Sequence, residues 1–175
     1  MDFIYQYYVE GENEKKLVEV LSKEYKYIKA GKVEVFNVVE KSIKNTRIRN
    51  FKENHVIILV FDTDTNNTKT LEANIEYLKR LVKSKKIKDV ILIPQVHNIE
   101  DELVRSCNIN NIKDLLKSKS KKEFKTDFNK ATNQRIRCIL KDKDFNFKKL
   151  WRTEPVGVFS GFKCELSKLE NKNFQ

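Results

Sequence analysis

The chain has few cysteines, and none of them forms a Cys-x-x-Cys pair. Cys107, Cys138 and Cys164 are far apart and odd in number, which argues against a zinc knuckle or a disulfide framework. We therefore expect buried, chemically inert thiols. A catalytic pairing of one thiol with His55 or His97 stays open as an alternative, although no local motif favours it.

The chain also has no long hydrophobic run. Its longest apolar stretch, Val56 to Phe61, is far shorter than the roughly 20 residues that cross a bilayer. The N-terminal stretch "MDFIYQYYVEG" lacks the basic region and the small-residue cleavage site of a signal peptide. We expect a cytoplasmic protein with no membrane partner.

Several motifs for nucleotide or nucleophile chemistry are absent. There is no Walker A sequence, no Gly-x-Gly-x-x-Gly and no Gly-x-Ser-x-Gly. The segment "DTDTNNTKTLEA" begins like an EF-hand loop. Asn67, however, occupies the position that requires glycine, and Ala73 the position of the closing glutamate.

Positive charge is abundant, with a formal net charge of +11 over 175 residues. This excess indicates a polyanionic partner such as nucleic acid. An AT-rich genome is a competing explanation, because lysine, asparagine and isoleucine are all frequent. The basic residues concentrate towards the C-terminus, where 14 lysines and arginines face five acidic residues between Lys113 and Arg152.

Strand and helix patterns alternate along the first two thirds of the chain. Apolar and β-branched runs predict strands, amphipathic runs predict helices, and residues 40–54 read as a short helix or loop. The predicted strands cover 3–9, 33–39, 55–61 and 88–96, the last closed by Pro94, and the predicted helices cover 12–26, 67–86 and 99–107.

This alternation predicts the α/β class, with a central parallel sheet of about four strands covered by helices on both faces. Residues 1–110 would form the main domain. Residues 111–175 would be a basic extension packed on it, mostly helical, with short helices over 111–150, a turn-rich segment over 151–162 and a helical or frayed tail.

Acidic residues follow three of the predicted strands. Glu10 ends the first strand, with Glu14 one turn into the next helix. Asp62 and Asp64 end the third, and Glu100 follows the fourth. Because parallel strands place their carboxyl ends at one edge, these side chains should gather there. Carboxylates and phosphate oxygens are typical ligands of Mg²⁺, so the pattern indicates a phosphate-directed metal site.

Each acid also has a structural interpretation. Glu10 could belong to a turn and Glu14 to a solvated helix face, and Asp62 and Asp64 could form Asx turns. Glu100, Asp101 and Glu102 could simply complement the helix dipole, and we favour this interpretation for Asp101 and Glu102. Thr68 or Thr70 is the expected cap of the following helix.

Taken together, "VEG" (9–11) and "FDTD" (61–64) resemble the Toprim family, which has a Glu-Gly after its first strand and an Asp-x-Asp after its third. "VEGENEKKLV" resembles the start of small RloB-like and OLD-type Toprim proteins, often linked to phage defence. "NIEDELV" (98–104) resembles their later acidic segment, with Ile99 in place of an aromatic residue. A glycine that many Toprim domains carry near the second strand is missing from "VEVFNVV".

The resemblance implies a Toprim-like (Rossmann-like) fold and an Mg²⁺- or Mn²⁺-dependent nuclease acting on DNA or RNA. Of the three catalytic residues, Glu10 would be the acid/base or a metal ligand, and Asp62 and Asp64 would bind Mg²⁺. Glu14 and Glu100 would be supporting ligands. A separate ATPase or defence-system protein is an implied partner. The alternatives are a non-catalytic Toprim module that binds nucleic acid or a partner, and a phosphatase or nucleotide-processing enzyme.

The basic segment 117–137 is the predicted nucleic-acid contact, because its cations would neutralise the phosphate backbone. Phe124, Phe128 and Trp151 could stack on bases, although packing against the sheet is the use we favour. The predicted contact residues are Lys119, Lys121, Lys122, Lys125, Lys130, Arg135 and Arg137.

Overall fold

An all-parallel sheet of four strands lies at the centre of the computed structural model, which describes residues 2–172. The strands lie in the spatial order β2-β1-β3-β4, and each neighbouring pair is parallel. This confirms the predicted α/β class and parallel sheet. The strands are β1 (Ile4–Val9), β2 (Lys32–Val35), β3 (His55–Asp62) and β4 (Asp89–Gln95).

Helices connect these strands, and four more α-helices follow β4 within residues 2–172. The first helix continues into a π-helical segment over Val20–Glu24, and short 3₁₀ turns at Gly157–Phe159 and Leu166–Lys168 lie beyond the α-helices. The α-helices are α1 (Glu12–Glu19), α2 (Asn45–Ile48), α3 (Lys69–Lys83), α4 (Ile99–Ser106), α5 (Lys113–Leu116), α6 (Lys121–Lys130) and α7 (Asn133–Asp142). No helix in residues 2–172 combines the length and apolar composition needed to span a bilayer.

The central strand β3 is buried on both faces. Alternate side chains point to opposite sides, so Val56, Ile58 and Val60 pack with α1 and α4–α7. Ile57 and Leu59 pack on the other side with α2 and α3. Burial on both faces explains why "HVIILVF" is a continuous apolar run and not an alternating one.

The C-terminal helices belong to the same hydrophobic core as the sheet. Phe124 and Phe128 of α6 are fully buried in the cluster that includes Leu17 of α1. Trp151 is also buried, at 1% exposure. All three aromatic side chains therefore serve in packing, the use that the sequence favoured, and none is free to stack on bases.

Two details of the strands differ from the sequence predictions. The second strand ends at Val35 and does not reach residue 39, since the chain turns away towards α2. Pro94 lies inside β4, opposite Phe61. Proline is accommodated because β4 is an edge strand. Residues two apart in a strand present their backbone nitrogens to the same side, and the amide of Leu92 points away from the sheet, where it donates to Glu165 Oε2 at 3.0 Å. The nitrogen of Pro94 therefore faces outward as well, where no neighbouring strand in residues 2–172 needs a donor.

The expectation of three buried thiols is wrong for Cys138, which is exposed on α7. Cys107 and Cys164 are half-buried. Burial raises the pKa of Cys107 to about 12 and that of Cys164 to about 11, so both are protonated and unreactive at neutral pH. In the predicted tail, residues 166–168 form a 3₁₀ turn and Glu170 bridges to Ile28, while residues 173–175 lie outside the described range.

Gly31 permits a close approach between the start of β2 and the backbone of β1. A Cβ at this position would lie 2.7 Å from Tyr5 Cβ and would also meet Tyr5 backbone atoms. We expect Gly31→Ala to lower the free energy of unfolding by about 1–3 kcal/mol, the usual cost of overpacking. Urea denaturation measures this change.

Gly161 is the matched control, because a Cβ there would meet no atom within 4 Å. Gly161→Ala should change stability by no more than about 0.5 kcal/mol. Equal stability of the two alanine variants would contradict the proposed clash.

Candidate active site at the carboxyl edge of the sheet

The strand order reverses direction between β1 and β3. The chain leaves β1 through α1 to reach β2, then crosses back past β1 to β3 through α2, on the opposite face. In open α/β sheets such a switch point opens a crevice at the carboxyl ends of the two strands. Glu10 directly follows β1, and Asp62 is the last residue of β3.

The two strand-end acids lie side by side. The backbone amide of Asp62 donates a hydrogen bond to Glu10 Oε2 at 3.4 Å. Asp64 is exposed and lines, with Glu10 and Asp62, a cavity of about 270 Å³. Three of the sequence-predicted residues thus meet in one cleft, which we call the acidic cleft. Its other lining residues are Asn37, Val39, Glu40, Thr65, Asn67 and Thr70.

The two aspartates do not act as turn or helix caps. No backbone amide in residues 2–172 donates to either aspartate side chain; Asn67 Oδ1 accepts from the amide of Lys69 at 3.2 Å instead. Thr68 stands at the cap position of α3, but its hydroxyl donates to Glu72 Oε1 at 2.7 Å. The Asx-turn interpretation of Asp62 and Asp64 is therefore wrong, and their carboxylates face the cleft without a capping role.

Asp62 is buried, at 8% exposure, among other acids. Burial, with repulsion from Glu10 and Glu14, raises the pKa of Asp62 to about 9, although a hydrogen bond from Gln95 lowers it. Gln95 Nε2 donates to Asp62 Oδ1 at 2.6 Å. In this arrangement Asp62 is protonated at neutral pH.

Gln95 is a site residue that the sequence did not reveal. It is fully buried at the end of β4, directly opposite Asp62 in the sheet register. Its Oε1 accepts from Trp151 Nε1 at 3.1 Å, which orients the amide so that its NH₂ group faces Asp62. The available signal in the sequence was a polar residue at the end of an apolar strand. The role of Gln95 could not be predicted from it, because its partner Trp151 is 56 residues away in the sequence.

Glu14 extends the acidic cluster on the α1 side. It is 7% exposed, and burial together with the charges of Glu10 and Glu100 raises its pKa to about 6. Burial likewise raises the pKa of Glu10, with the nearby charge of Asp64 adding to the shift. The acids predicted from separate segments therefore influence one another electrostatically.

A lysine from the C-terminal helices partly compensates this negative charge. Glu100, buried at the start of α4, forms ion pairs with Lys125 at 3.1 Å and Lys121 at 3.6 Å. Burial lowers the pKa of Lys125, but its bond to Glu100 and the charges of Glu14 and Asp62 outweigh this effect and raise it. Lys125 therefore remains a positive charge beside the cluster.

The other predicted nucleic-acid residues are exposed on α6, α7 and the loop before α6. Arg137 lies over the Tyr25 ring, with its guanidinium carbon 5.8 Å from the ring centroid. Part of the charge that the sequence assigned to nucleic acid thus makes contacts within the protein, through Lys121, Lys125 and Arg137, although these three side chains are also exposed. Lys119, Lys122, Lys130 and Arg135 are exposed to solvent.

Glu102 has a larger role than complementing the helix dipole. It is completely buried and accepts hydrogen bonds from the amides of Val96 at 2.9 Å and Trp151 at 3.0 Å. Arg105 pairs with the same carboxylate at 2.8 Å. Glu102 therefore anchors the end of β4 to Trp151, which in turn orients Gln95.

The turn after β4 is tied to the end of β3. The hydroxyl of Thr63 donates to the carbonyl of Gln95 at 3.0 Å and accepts from the amide of His97 at 3.0 Å. His97 has a left-handed backbone with φ of 63°, and its side chain is exposed. These bonds hold Asp62 and Gln95 in register at the edge of the acidic cleft.

The donor chemistry of the cleft fits a hard divalent cation. In residues 2–172 no group of three His, Cys, Asp or Glu side chains already has an arrangement that could hold a metal ion. Mg²⁺ does not require such a group, since one or two carboxylates, water and substrate phosphate oxygens often suffice. Burial and like-charge repulsion raise the pKa values of Glu10, Glu14 and Asp62, and a cation would relieve that repulsion.

Comparisons of the chain with models of protein families, with curated proteins and with solved structures found no match. The functional argument therefore rests on the geometry of the acidic cleft.

The pKa of Asp62 predicts a pH dependence of stability. An aspartate whose pKa rises from 3.8 to about 9 on folding keeps a proton that the unfolded chain releases, so this contribution to stability declines between about pH 4 and pH 9. Asp62→Asn keeps the oxygen that accepts from Gln95 but carries no ionisable group. At pH 9, in EDTA, its melting temperature should exceed that of the natural chain by about 2 °C or more, which corresponds to roughly 1 kcal/mol.

Circular dichroism melts from pH 4 to pH 9 measure this difference, which should shrink towards pH 4. Asp142→Asn is the control, because Asp142 is exposed at the end of α7 and should follow the natural chain. Parallel curves for Asp62→Asn and the natural chain would show that Asp62 ionises normally.

Proposed function

We propose that the chain is a Mg²⁺- or Mn²⁺-dependent nuclease of Toprim type that hydrolyses phosphodiester bonds of DNA or RNA. The observation that carries this proposal is the meeting of Glu10, Asp62 and Asp64 in one cleft at the switch point of a parallel sheet. Carboxylates at such a position can hold a cation that also binds a phosphate.

Asp62 and Asp64 would hold the cation, and Glu10 would either join them as a ligand or act as the general base. A bound Mg²⁺ or Mn²⁺ would polarise the scissile phosphate and stabilise the leaving oxygen. Because a cation favours the charged form of a carboxylate, its binding would lower the pKa of Asp62 and release its proton. Glu14 and Glu100 would support the site from behind the cleft.

Glu10 is the residue best placed to take a proton from the attacking water. It is half-exposed at the cleft, and burial raises the pKa of its carboxylate, which makes it a stronger base when no cation is bound to it. The amide of Asp62, 3.4 Å from Glu10 Oε2, orients the carboxylate group.

A nucleic-acid substrate is supported by the charge of the chain and its location. The formal net charge is +11, and helix α6 carries exposed lysines beside the acidic cluster, as the contacts of Lys121 and Lys125 with Glu100 show. A partner ATPase and a role in phage defence follow from the Toprim resemblance alone.

A non-catalytic binding module is the second candidate function. Gln95 already donates to Asp62, and Lys125 already pairs with Glu100, so two of the buried acids have polar partners without a cation. A chain of this kind would bind nucleic acid or a protein partner through its basic surface and would not cleave.

Labelled single- and double-stranded DNA and RNA, incubated with Mg²⁺, Mn²⁺ or EDTA, test the nuclease proposal. Cleavage should require the cation. Glu10→Gln should lower the rate by about 100-fold or more, as expected for loss of a general base. Asp62→Asn combined with Asp64→Asn should remove both cleavage and cation binding measured by isothermal titration calorimetry.

The matched control combines Asp142→Asn with Glu154→Gln, which removes two exposed acids that do not line the cleft and should leave the rate unchanged. Cleavage that survives in the Asp62 and Asp64 double variant would rule out the proposed site. Nucleic-acid binding without cleavage or cation binding would identify the non-catalytic module. Turnover of nucleotides without cleavage of polymers would identify a phosphatase or nucleotide-processing enzyme.

A further inference from the structure

A second cavity, of about 730 Å³, opens at the carboxyl end of β2. Its volume is within the range of roughly 300–1,000 Å³ typical of ligand sites. No sequence motif pointed to it. We call it the basic cavity, and its lining residues are Glu34, Phe36, Lys41, Ser42, Lys44, Thr46 and Arg47.

The basic cavity and the acidic cleft share a wall. Residues 36–41 form this wall: Phe36 and Lys41 line the basic cavity, while Asn37, Val39 and Glu40 line the acidic cleft. A polymer held in the cleft would therefore meet the basic cavity as it continues across the wall.

Buried hydrogen bonds hold the wall in place. Asn74 of α3, at 3% exposure, donates from Nδ2 to the carbonyls of Val38 and Lys41 at 2.8 Å each. Its Oδ1 accepts from the amide of Ile43 at 2.8 Å. Because the buried Asn74 side chain holds three backbone groups of this segment, it fixes the position of the two cavities relative to each other.

Three cations and one acid line the basic cavity. Arg47 pairs with Glu34, and its guanidinium carbon lies 4.1 Å from the centroid of the Phe36 ring, which fixes it in the cavity wall. Lys41 and Lys44 are exposed, and neither takes part in an ion pair within residues 2–172. Two lysine ammonium groups are therefore available to an anion, beside the hydroxyls of Ser42 and Thr46.

We propose that the basic cavity binds the sugar-phosphate backbone of the nucleic acid on one side of the scissile bond. Lys41 and Lys44 would contact phosphates, and the wall of residues 36–41 would separate this contact from the acids that act on the scissile phosphate. This inference rests on the proposed nuclease function, since it assigns the path of that substrate.

The experiment compares Lys41→Ala/Lys44→Ala with the natural chain. Fluorescence anisotropy of labelled single-stranded DNA and RNA is measured in EDTA, so that binding is observed without cleavage, over a series of NaCl concentrations. We expect an affinity about tenfold lower at low salt. The slope of log affinity against log salt should fall by about 1.4–1.8, because each lost phosphate contact removes roughly 0.7–0.9.

Lys52→Ala/Lys83→Ala is the charge-matched control. Both lysines are exposed and lie near the opposite edge of the sheet, Lys52 before β3 and Lys83 at the end of α3. This control should keep the natural affinity and salt slope. Thermal melts of both double variants show whether a loss of binding reflects unfolding, and a third variant, Lys41→Gln/Lys44→Gln, should reproduce the loss.

Natural affinity in Lys41→Ala/Lys44→Ala, or an equal loss in the control, would overturn the inference. If cleavage of the natural chain still depends on Asp62 and Asp64 in that case, the proposed function stands and only the substrate path is wrong. If the natural chain neither binds nor cleaves nucleic acid, both proposals fail.

Discussion

The parallel pairing of β1 with β3 is the constraint on which the candidate site depends. This pairing lines up Tyr8 with Leu59 near the carboxyl ends of the two strands. Glu10 and Asp62 follow within three residues, which is why the amide of one reaches the carboxylate of the other. A slip in this register would move Asp62 away from Glu10 or turn it to the other face of the sheet.

Acids placed close together repel one another, and in this fold a hydrogen bond, an ion pair and a retained proton reduce that repulsion. Gln95 donates to Asp62, Lys125 pairs with Glu100, and Asp62 keeps its proton at neutral pH because burial and repulsion raise its pKa to about 9. Each compensation comes from a different segment of the chain. A group of acids maintained at such a cost is typical of a functional site, because surface acids without a role would be solvated apart from one another.

The C-terminal helices are connected to the cleft through both packing and charge. Phe124 and Phe128 bury α6 against the sheet core, and this packing positions Lys125 beside Glu100. Trp151 follows the helices and reaches Gln95 through its indole nitrogen. The basic segment thus contributes to the architecture of the acidic cluster, beyond any contact with a polyanion.

Local pattern was enough to predict the strands, the α/β class and the acids at the strand ends, since alternation and apolar runs reflect burial that neighbouring residues share. The boundary of β2, the place of Pro94 within an edge strand, and the exposure of Cys138 depended on which elements became neighbours. The sequence also could not predict that Gln95, Trp151 and Lys125 contact the acidic cluster or its supports, or that the two cavities share a wall. These contacts join segments that are tens of residues apart in the sequence. Such segments become neighbours only when burial of the hydrophobic core packs the helices and strands together.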